Sequence, residues 1–426
     1  MKLLEGRLRW VLISFIFVMT AIAYVARVNM SVAGQAVLKE YGWSDVQLGW
    51  ILSALIFGYA LFQVPGGRLA DRFGPRMVIT VGVLFWSFFT ILTAFVPAGL
   101  AYSFPLMILV RALVGAGEAV VYPASNRLVA DWIPTGERGV ANGFGLCGAG
   151  FGSAITPPLI TFLMLNLGWK WSFHISALIG IAAGILWYMV ARNKPRAHPL
   201  ISKSELELIE AGIPAPVKKT DKQGALPWGV IIRDRQVILL SLSYYAFAYA
   251  VYIFFSWFFI YVNRARGLDL RSSSFYSMLP FLAMMVAAPL GGWLADKASR
   301  RWGKRTARCG LGLVGMAGCG LLIAIATQVE SAAISIFVLA LGAGAVYFCL
   351  SSYWAVAADV AGPSAGSASA LMNMVGQIGG ITASSLTPVI ANSLGWTPSF
   401  LVAAGLCVLG AMAWFFINPN ARLGAK

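Results

Sequence analysis

Apolar runs long enough to cross a bilayer recur from Trp10 to about Ile417, separated by short polar turns. A helix needs about 20 consecutive apolar residues to span hydrocarbon. The runs here are continuous rather than alternating, which selects helices over barrel strands. The chain of 426 residues is 59% hydrophobic and only 11% charged, too little polar surface for a soluble protein of this length to cover itself. The first run, Trp10 to about Ala33, is too long for a signal-peptide core and lacks a clear cleavage site, so it reads as a retained first helix. Helices are expected at roughly 10–33, 45–67, 77–97, 104–131, 139–165, 172–191, 236–262, 274–296, 307–327, 332–359, 367–392 and 398–417. The fold class is therefore an all-α membrane protein with twelve transmembrane helices in two six-helix bundles.

A net charge of +16 would suggest nucleic acid in a soluble protein. In a polytopic chain it has a topological cause, because Lys and Arg collect in cytoplasmic loops. With the N-terminus inside, most of the 32 Lys and Arg fall on the cytoplasmic side, and Lys39, Lys170, Arg264, Arg266 and Arg271 fall outside. The even helix number then puts both termini in the cytoplasm, and the expected location is the cell inner membrane. No nucleic-acid partner is implied. The five cysteines lie in apolar runs at no metal-ligand spacing and read as small packing residues. Two histidines in all make a His-metal centre a poor fit, so no metal or cofactor is expected. Neither a nucleotide-phosphate loop nor a cluster of acids points to an enzyme.

The longest polar stretch, 192–235, sits mid-chain and reads as a cytoplasmic linker, with Ser204-Glu205-Leu206-Glu207 suggesting a short helix. It separates an N-terminal six-helix bundle, 1–191, from a C-terminal one, 236–426. These halves repeat. Gly66-Gly67-Arg68-Leu69-Ala70-Asp71-Arg72 recurs as Gly291-Gly292-Trp293-Leu294-Ala295-Asp296-Lys297. Gly168-Trp169 with Ser172-Phe173 recurs as Gly395-Trp396 with Ser399-Phe400, and Thr156-Pro157 as Thr387-Pro388. All three offsets are nearly equal. Duplicated helix bundles are the architecture of alternating-access carriers, whose substrate site is expected between the halves near the midplane.

Gly67-Arg68-Leu69-Ala70-Asp71-Arg72-Phe73-Gly74-Pro75-Arg76 resembles the signature loop of the major facilitator superfamily, and a longer copy spans Gly292–Arg305. Asp71, Arg72 and Asp296 are the gating candidates, because Asp71 can face a helix N-terminus or an arginine and latch the cytoplasmic side. Further segments resemble the anion:cation symporter family within it. These are Tyr24-Val25-Ala26-Arg27-Val28-Asn29, Arg111 with Glu118, Trp132-Ile133-Pro134 before Glu137-Arg138-Gly139, His198-Pro199, and Asp359-Val360-Ala361-Gly362-Pro363. That resemblance implies uptake of organic carboxylates, usually with protons, as in bacterial sugar-acid carriers and sialin-type relatives. Sugar-acid members commonly have Asp where Ala26 stands, which puts a two-proton scheme in doubt. Gln377 replaces an Asn common in relatives.

The residues lead to similar chemistry on their own. Among Asp, Glu, Lys and Arg, only Arg27, Arg111 and Glu118 sit deep in the expected helices. An ionisable group there is costly and is expected to face a cavity or a partner. Arg111 and Glu118 are seven residues apart, which returns them to nearly one helix face about 10.5 Å apart along the axis. They share a lining but are too distant for a direct pair. Two guanidiniums against one carboxylate leave a surplus positive charge, which an organic anion would neutralise in bidentate geometry. The bland alternative is a charge cluster that only holds helices together. Glu118 is the proton-coupling candidate: protonated, it would free an arginine for cargo.

For the rest of the cargo, the resemblance to galactonate-type members implies Tyr24 and Tyr59. On the other half Tyr245, Tyr249, Ser351, Ser352 and Asn373 are candidates, although such residues also serve as interhelical glue or interfacial belts. His174 reads as structural. The expected activity is proton-coupled symport of a small organic anion by a monomer in the lipid bilayer. The competing readings are a proton-driven multidrug-type antiporter, which would have a more apolar and less basic cavity, and a transport-inactive membrane sensor.

Overall fold

The computed structural model describes residues 7–213 and 227–421. Residues 214–226 of the expected linker lie outside the described residues, as do both chain ends. Twelve described helices are long and apolar enough to span a membrane. They are α1 Leu8–Tyr41, α2 Asp45–Phe73, α3 Pro75–Phe95, α4 Ser103–Trp132, α5 Thr135–Leu167, α6 Trp169–Val190, α7 Arg235–Ser256, α8 Leu270–Trp302, α9 Arg305–Gln328, α10 Ala332–Ala361, α11 Ala365–Leu394 and α12 Trp396–Phe416. Each apolar run expected from the sequence has become one of these helices. Several reach further than the apolar run itself, because their polar end turns stay helical beyond the hydrocarbon. No strand occurs among the described residues. Large apolar side chains such as Leu61, Phe88, Leu165 and Phe415 remain exposed on the helix surfaces, as lipid-facing positions require.

The chain forms two compact units. One holds the residues up to Gly42 and those from Ala54 to the linker helix; the other holds Trp43–Ser53 and the chain beyond the linker. In the first unit α1 packs on α5 and α6, and α3 packs on α4 and α6. In the second, α7 packs on α11 and α12, and α9 packs on α10 and α12. The pairing scheme is the same in both units, so the sequence repeat is also a repeat of packing. Both units break a helix at matching places. Regular α-helix in α4 stops at Glu118 and resumes at Val121. In α10 it stops at Phe348 and resumes at Leu350.

The core of the first unit is anchored by Trp86, Trp132 and Trp187, all essentially without solvent exposure. Buried indoles need acceptors. Trp132 donates to the Arg192 carbonyl at 2.9 Å and Trp187 to the Arg76 carbonyl at 3.1 Å. In the second unit the start of α2 carries a reciprocal capping box. Gln47 N–H donates to Ser44 Oγ at 3.3 Å, and Ser44 N–H donates to Gln47 Oε1 at 2.9 Å. Asp45 at the same end is held bidentately by Arg264 at 2.9 Å.

The linker contains the short helix suggested by its sequence, Lys203–Gly212, capped by Ser202, whose Oγ accepts from Glu205 N–H at 3.2 Å. Glu205 is buried against the opening of α1. Its carboxylate accepts from Leu8 N–H at 3.1 Å, Arg9 N–H at 3.0 Å and Arg9 Nη1 at 3.3 Å. Arg9 in turn reaches Glu137 at 3.0 Å. A linker acid thus satisfies the first amide donors of α1, where a negative charge also meets the positive end of the helix dipole.

Candidate functional site

The glycines of α2 and α4 set the site's spacing. A Cβ on Gly58 would lie 1.9 Å from the Ala112 carbonyl oxygen, and one on Gly115 would lie 1.9 Å from that of Leu55. Only glycine at both positions lets the two backbones approach so closely. The contact brings Tyr59 of α2 beside the stretch of α4 that carries Arg111 and Glu118.

Arg27 of α1 reaches across to Glu118. Its Nη2 donates to Glu118 Oε2 at 2.9 Å and its Nε to the same oxygen at 3.2 Å. The Glu118 side chain is 1% exposed and that of Arg27 10%. The guanidinium lies against two rings, 4.9 Å from the Tyr24 centroid and 4.5 Å from the Tyr59 centroid. This is cation–π geometry on two sides, and Arg27 keeps a narrow accessible margin.

Arg111 has no solvent exposure. Its Nη2 donates to the Ala26 carbonyl at 3.5 Å, while Nε and Nη1 have no hydrogen-bond partner, nor does Glu118 Oε1. Arg111 is close enough to both Glu118 and Arg27 to feel their charges. The count of two guanidiniums and one carboxylate is thus resolved. Arg27 takes the direct bond, and Arg111 is the buried cation with spare donors. Arg111 and Glu118 interact through their charges without a hydrogen bond between them. Neighbouring Asn29, also fully buried, packs rather than lines: its amide accepts from Ser172 at 3.0 Å and donates to Ser176 at 3.4 Å, fastening α1 to α6.

Of the latch residues, Asp71 pairs with Arg127 at 3.4 Å. Arg127 bonds Asp131 at 3.2 Å, and Lys194 holds the other oxygen of Asp131 at 2.7 Å. Arg72 is exposed and lies over the Phe73 ring. Asp296 is exposed too, and the acid that gathers cations in the second unit is Asp359, paired with Arg308 and with Lys304 at 3.0 Å. Asp131 and Asp359 stand at corresponding places in the two repeats, ahead of α5 and α11. That correspondence was the signal that could have singled them out.

In the second unit Tyr249 is 1% exposed and lies beside Thr387. Tyr245 is half-buried, one turn earlier on α7. Asn373 is 9% exposed on α11. Ser351 and Ser352 follow the break in α10, and their hydroxyls have no hydrogen-bond partner. Sequence reasoning passed over Tyr252, whose phenol donates to Gln377 Oε1 at 3.1 Å; Gln377 therefore has a partner within its own bundle. His174 sits between the rings of Phe95 and Trp171, consistent with a packing role. Among the described residues no group of three or more His, Cys, Asp or Glu could hold a metal.

Twelve spanning helices in two like-packed units, with a buried ion pair on α1 and α4, define a multi-pass membrane transporter. Residues 16–384 match the family model of the Major Facilitator Superfamily, and the chain belongs to that superfamily. It is 30% identical to the probable sulfoacetate transporter SauU of Cupriavidus necator, over 96% of this chain and 94% of that one. It is 30% identical to the probable galactarate/D-glucarate transporter GudP of Bacillus subtilis, covering 98% and 94%. It is also 30% identical to the D-galactonate transporter of Escherichia coli O6:H1, covering 98% and 97%. A crystal structure of a bacterial homologue of the human lysosomal transporter Spinster shares the fold, with a TM-score of 0.78, 19% identity and coverage of 96% and 97%.

Proposed function

We propose that this chain is a secondary active carrier for uptake of a small organic anion, a sugar acid or another carboxylate, together with protons. The observation that carries this reading is Arg111: a fully buried guanidinium with two unpartnered nitrogens, beside an arginine whose carboxylate partner can be neutralised. An unmatched cation in low dielectric is a poor structural staple, because its desolvation is not repaid. A cargo carboxylate supplies the missing charge. The relatives named as transporters of galactonate and as probable transporters of galactarate/D-glucarate and sulfoacetate support an anionic cargo.

In this mechanism Glu118 is the exchangeable partner. As a carboxylate it occupies the Arg27 fork. When a proton binds, the charge-assisted bond weakens, and Arg27, held in place by Tyr24 and Tyr59, is free to take a cargo carboxylate. Arg111 lies behind and adds attraction without needing contact. When the proton leaves, Glu118 competes for Arg27 and displaces the cargo. Cargo and proton therefore travel together. Ala26 offers no second carboxyl beside Arg27, so the cycle uses one buried acid. Asp71, Arg72 and Asp296, with Arg127, Asp131 and Asp359, belong to the latch at the loop end of each unit. Tyr245, Tyr249, Ser351, Ser352 and Asn373 supply polar groups for the non-carboxylate end of the cargo. The carrier works as a monomer with two six-helix halves joined by the 192–235 linker. It sits in the cell inner membrane with both termini in the cytoplasm.

The test is a thermal-shift screen of the purified protein. Galactonate, glucarate, hexuronates and sulfoacetate are compared with neutral sugars and with cationic amphiphiles. Stabilisation by carboxylates alone is expected, lost in Arg27→Met. Stabilisation by the amphiphiles instead would favour the multidrug reading.

A further inference from the structure

Glu118 must exchange its proton with water, yet its side chain is 1% exposed and sits at the break in α4. Beyond the break, towards the loop end of the first unit, Tyr122 follows one turn later and Ser125 and Asn126 a turn after that. These three line a cavity with Thr20 of α1 and Asn142 of α5. The cavity, of about 20 Å³, is enough to seat one water molecule. Ser125 is 7% exposed and its hydroxyl has no partner. The Tyr122 phenol lies near the Asn126 side chain and near Tyr24, which packs on Arg27. Asn126 is exposed at the far side. Two hydroxyls, a phenol and two amides therefore surround a space of one water's size in the stretch of α4 that follows the buried acid.

We propose that this cleft is a water-binding site and forms the route by which Glu118 gives up or receives its proton from the loop side. The proposal rests on Glu118 being the proton carrier. The neutral Glu118 carboxyl donates its proton to the Tyr122 oxygen, directly or through one water. The phenol passes its own proton to the water in the cleft, and that water passes one to solvent at Asn126. Glu118 ends as a carboxylate, Tyr122 ends unchanged, and one proton has moved out. Ser125, Asn126 and Asn142 do not carry the proton; they hold the water in line by accepting from it and donating to it. Tyr122 and the water are the links that move it.

The experiment needs no cargo. Infrared difference spectroscopy after a rapid pH jump follows the carboxyl band of Glu118 in the intact purified protein, assigned by its loss in Glu118→Gln. Tyr122→Phe and Asn142→Leu alter opposite walls of the cleft, so a folding defect in one leaves the other to decide. The expected result is a response slowed about tenfold or more in both variants, with the amplitude and midpoint of the band unchanged. Wild-type rates in the folded variants overturn the route while leaving Glu118 as carrier. No titrating Glu118 band in the wild-type protein overturns the carrier reading, and the route with it.

Discussion

Arg27 and Glu118 lie 91 residues apart in the chain, yet they meet in a two-point hydrogen bond of 2.9 and 3.2 Å to a single carboxylate oxygen. Glu118 Oε1 and the Arg111 nitrogens Nε and Nη1 remain without hydrogen-bond partners. One pair and one spare cation, rather than a balanced triad, is the electrostatic state of the first unit. It makes the two arginines experimentally distinguishable.

Arg111→Met removes a buried cation that no full bond compensates. Its removal leaves the Arg27–Glu118 pair intact and ends the desolvation cost of an unmatched cation. The variant is expected to melt at or above the wild-type temperature while losing stabilisation by carboxylates. Thermal unfolding with and without galactonate and sulfoacetate measures both. A lower melting temperature with cargo stabilisation intact would identify Arg111 as a structural staple.

Gly115→Ala places a methyl group 1.9 Å from the Leu55 carbonyl oxygen and 2.9 Å from the Tyr59 amide nitrogen. Backbone on both sides cannot yield cheaply, and overpacking of this kind costs about 1–3 kcal/mol. Gly139→Ala, where an added Cβ meets nothing within 4 Å, is the control expected to stay near wild type. Melting curves of the two variants provide the comparison.

Glu205→Ala removes the acceptor for two amide donors at the start of α1 and one bond to Arg9. Buried donors left unpaired cost about 1–3 kcal/mol. The expected outcome is a lower melting temperature and faster proteolytic cutting near the linker helix. Glu205→Gln, which keeps one acceptor oxygen, should lie between the two.

His198 fixes the linker just after α6. Leu200 N–H donates to its Nδ1 at 3.1 Å, so Nε2 carries the proton and donates to the Val190 carbonyl at 2.9 Å. Burial lowers its pKa from the usual 6.5, with the nearby Arg192 charge adding to this and the Val190 carbonyl opposing it. A lowered folded pKa means that the unfolded chain takes up the proton first. The His198 contribution is therefore complete above about pH 6.5 and declines as the pH falls below it. Linker proteolysis followed from pH 8 to 5 should accelerate in that acidic window, and His198→Asn should flatten this component.

Much of the fold was legible because lipid imposes it: apolar length gives the helices, and repeated loop residues reveal the duplication. The Arg111–Glu118 spacing also placed the two charges near enough to interact without a direct bond. The choice of Arg27 as the partner of Glu118 was not legible, since it depends on how closely α2 packs on α4, and on packing between helices distant in sequence. The break after Glu118 does have a trace in the sequence, Pro123, which has no N–H to donate to the Ala119 carbonyl, although the expected span 104–131 runs through it. Asp296 could be read as the repeat of Asp71, and it lies near Arg308; Asp359 was not read as its companion. Lys304, just before α9, and Arg308 within it gather on Asp359, which stands where Asp131 stands in the first repeat. Glu205 could be read as part of a short helix, but its service to Leu8 and Arg9 crosses almost 200 residues.

The most direct measurement is accumulation of labelled carboxylates in proteoliposomes under an imposed inward proton gradient, for the wild type and Glu118→Gln. The wild type should concentrate its cargo and lose that ability when a protonophore collapses the gradient. The variant should still exchange cargo across the membrane but fail to concentrate it. Accumulation by Glu118→Gln at the wild-type level would contradict the role assigned to the buried pair.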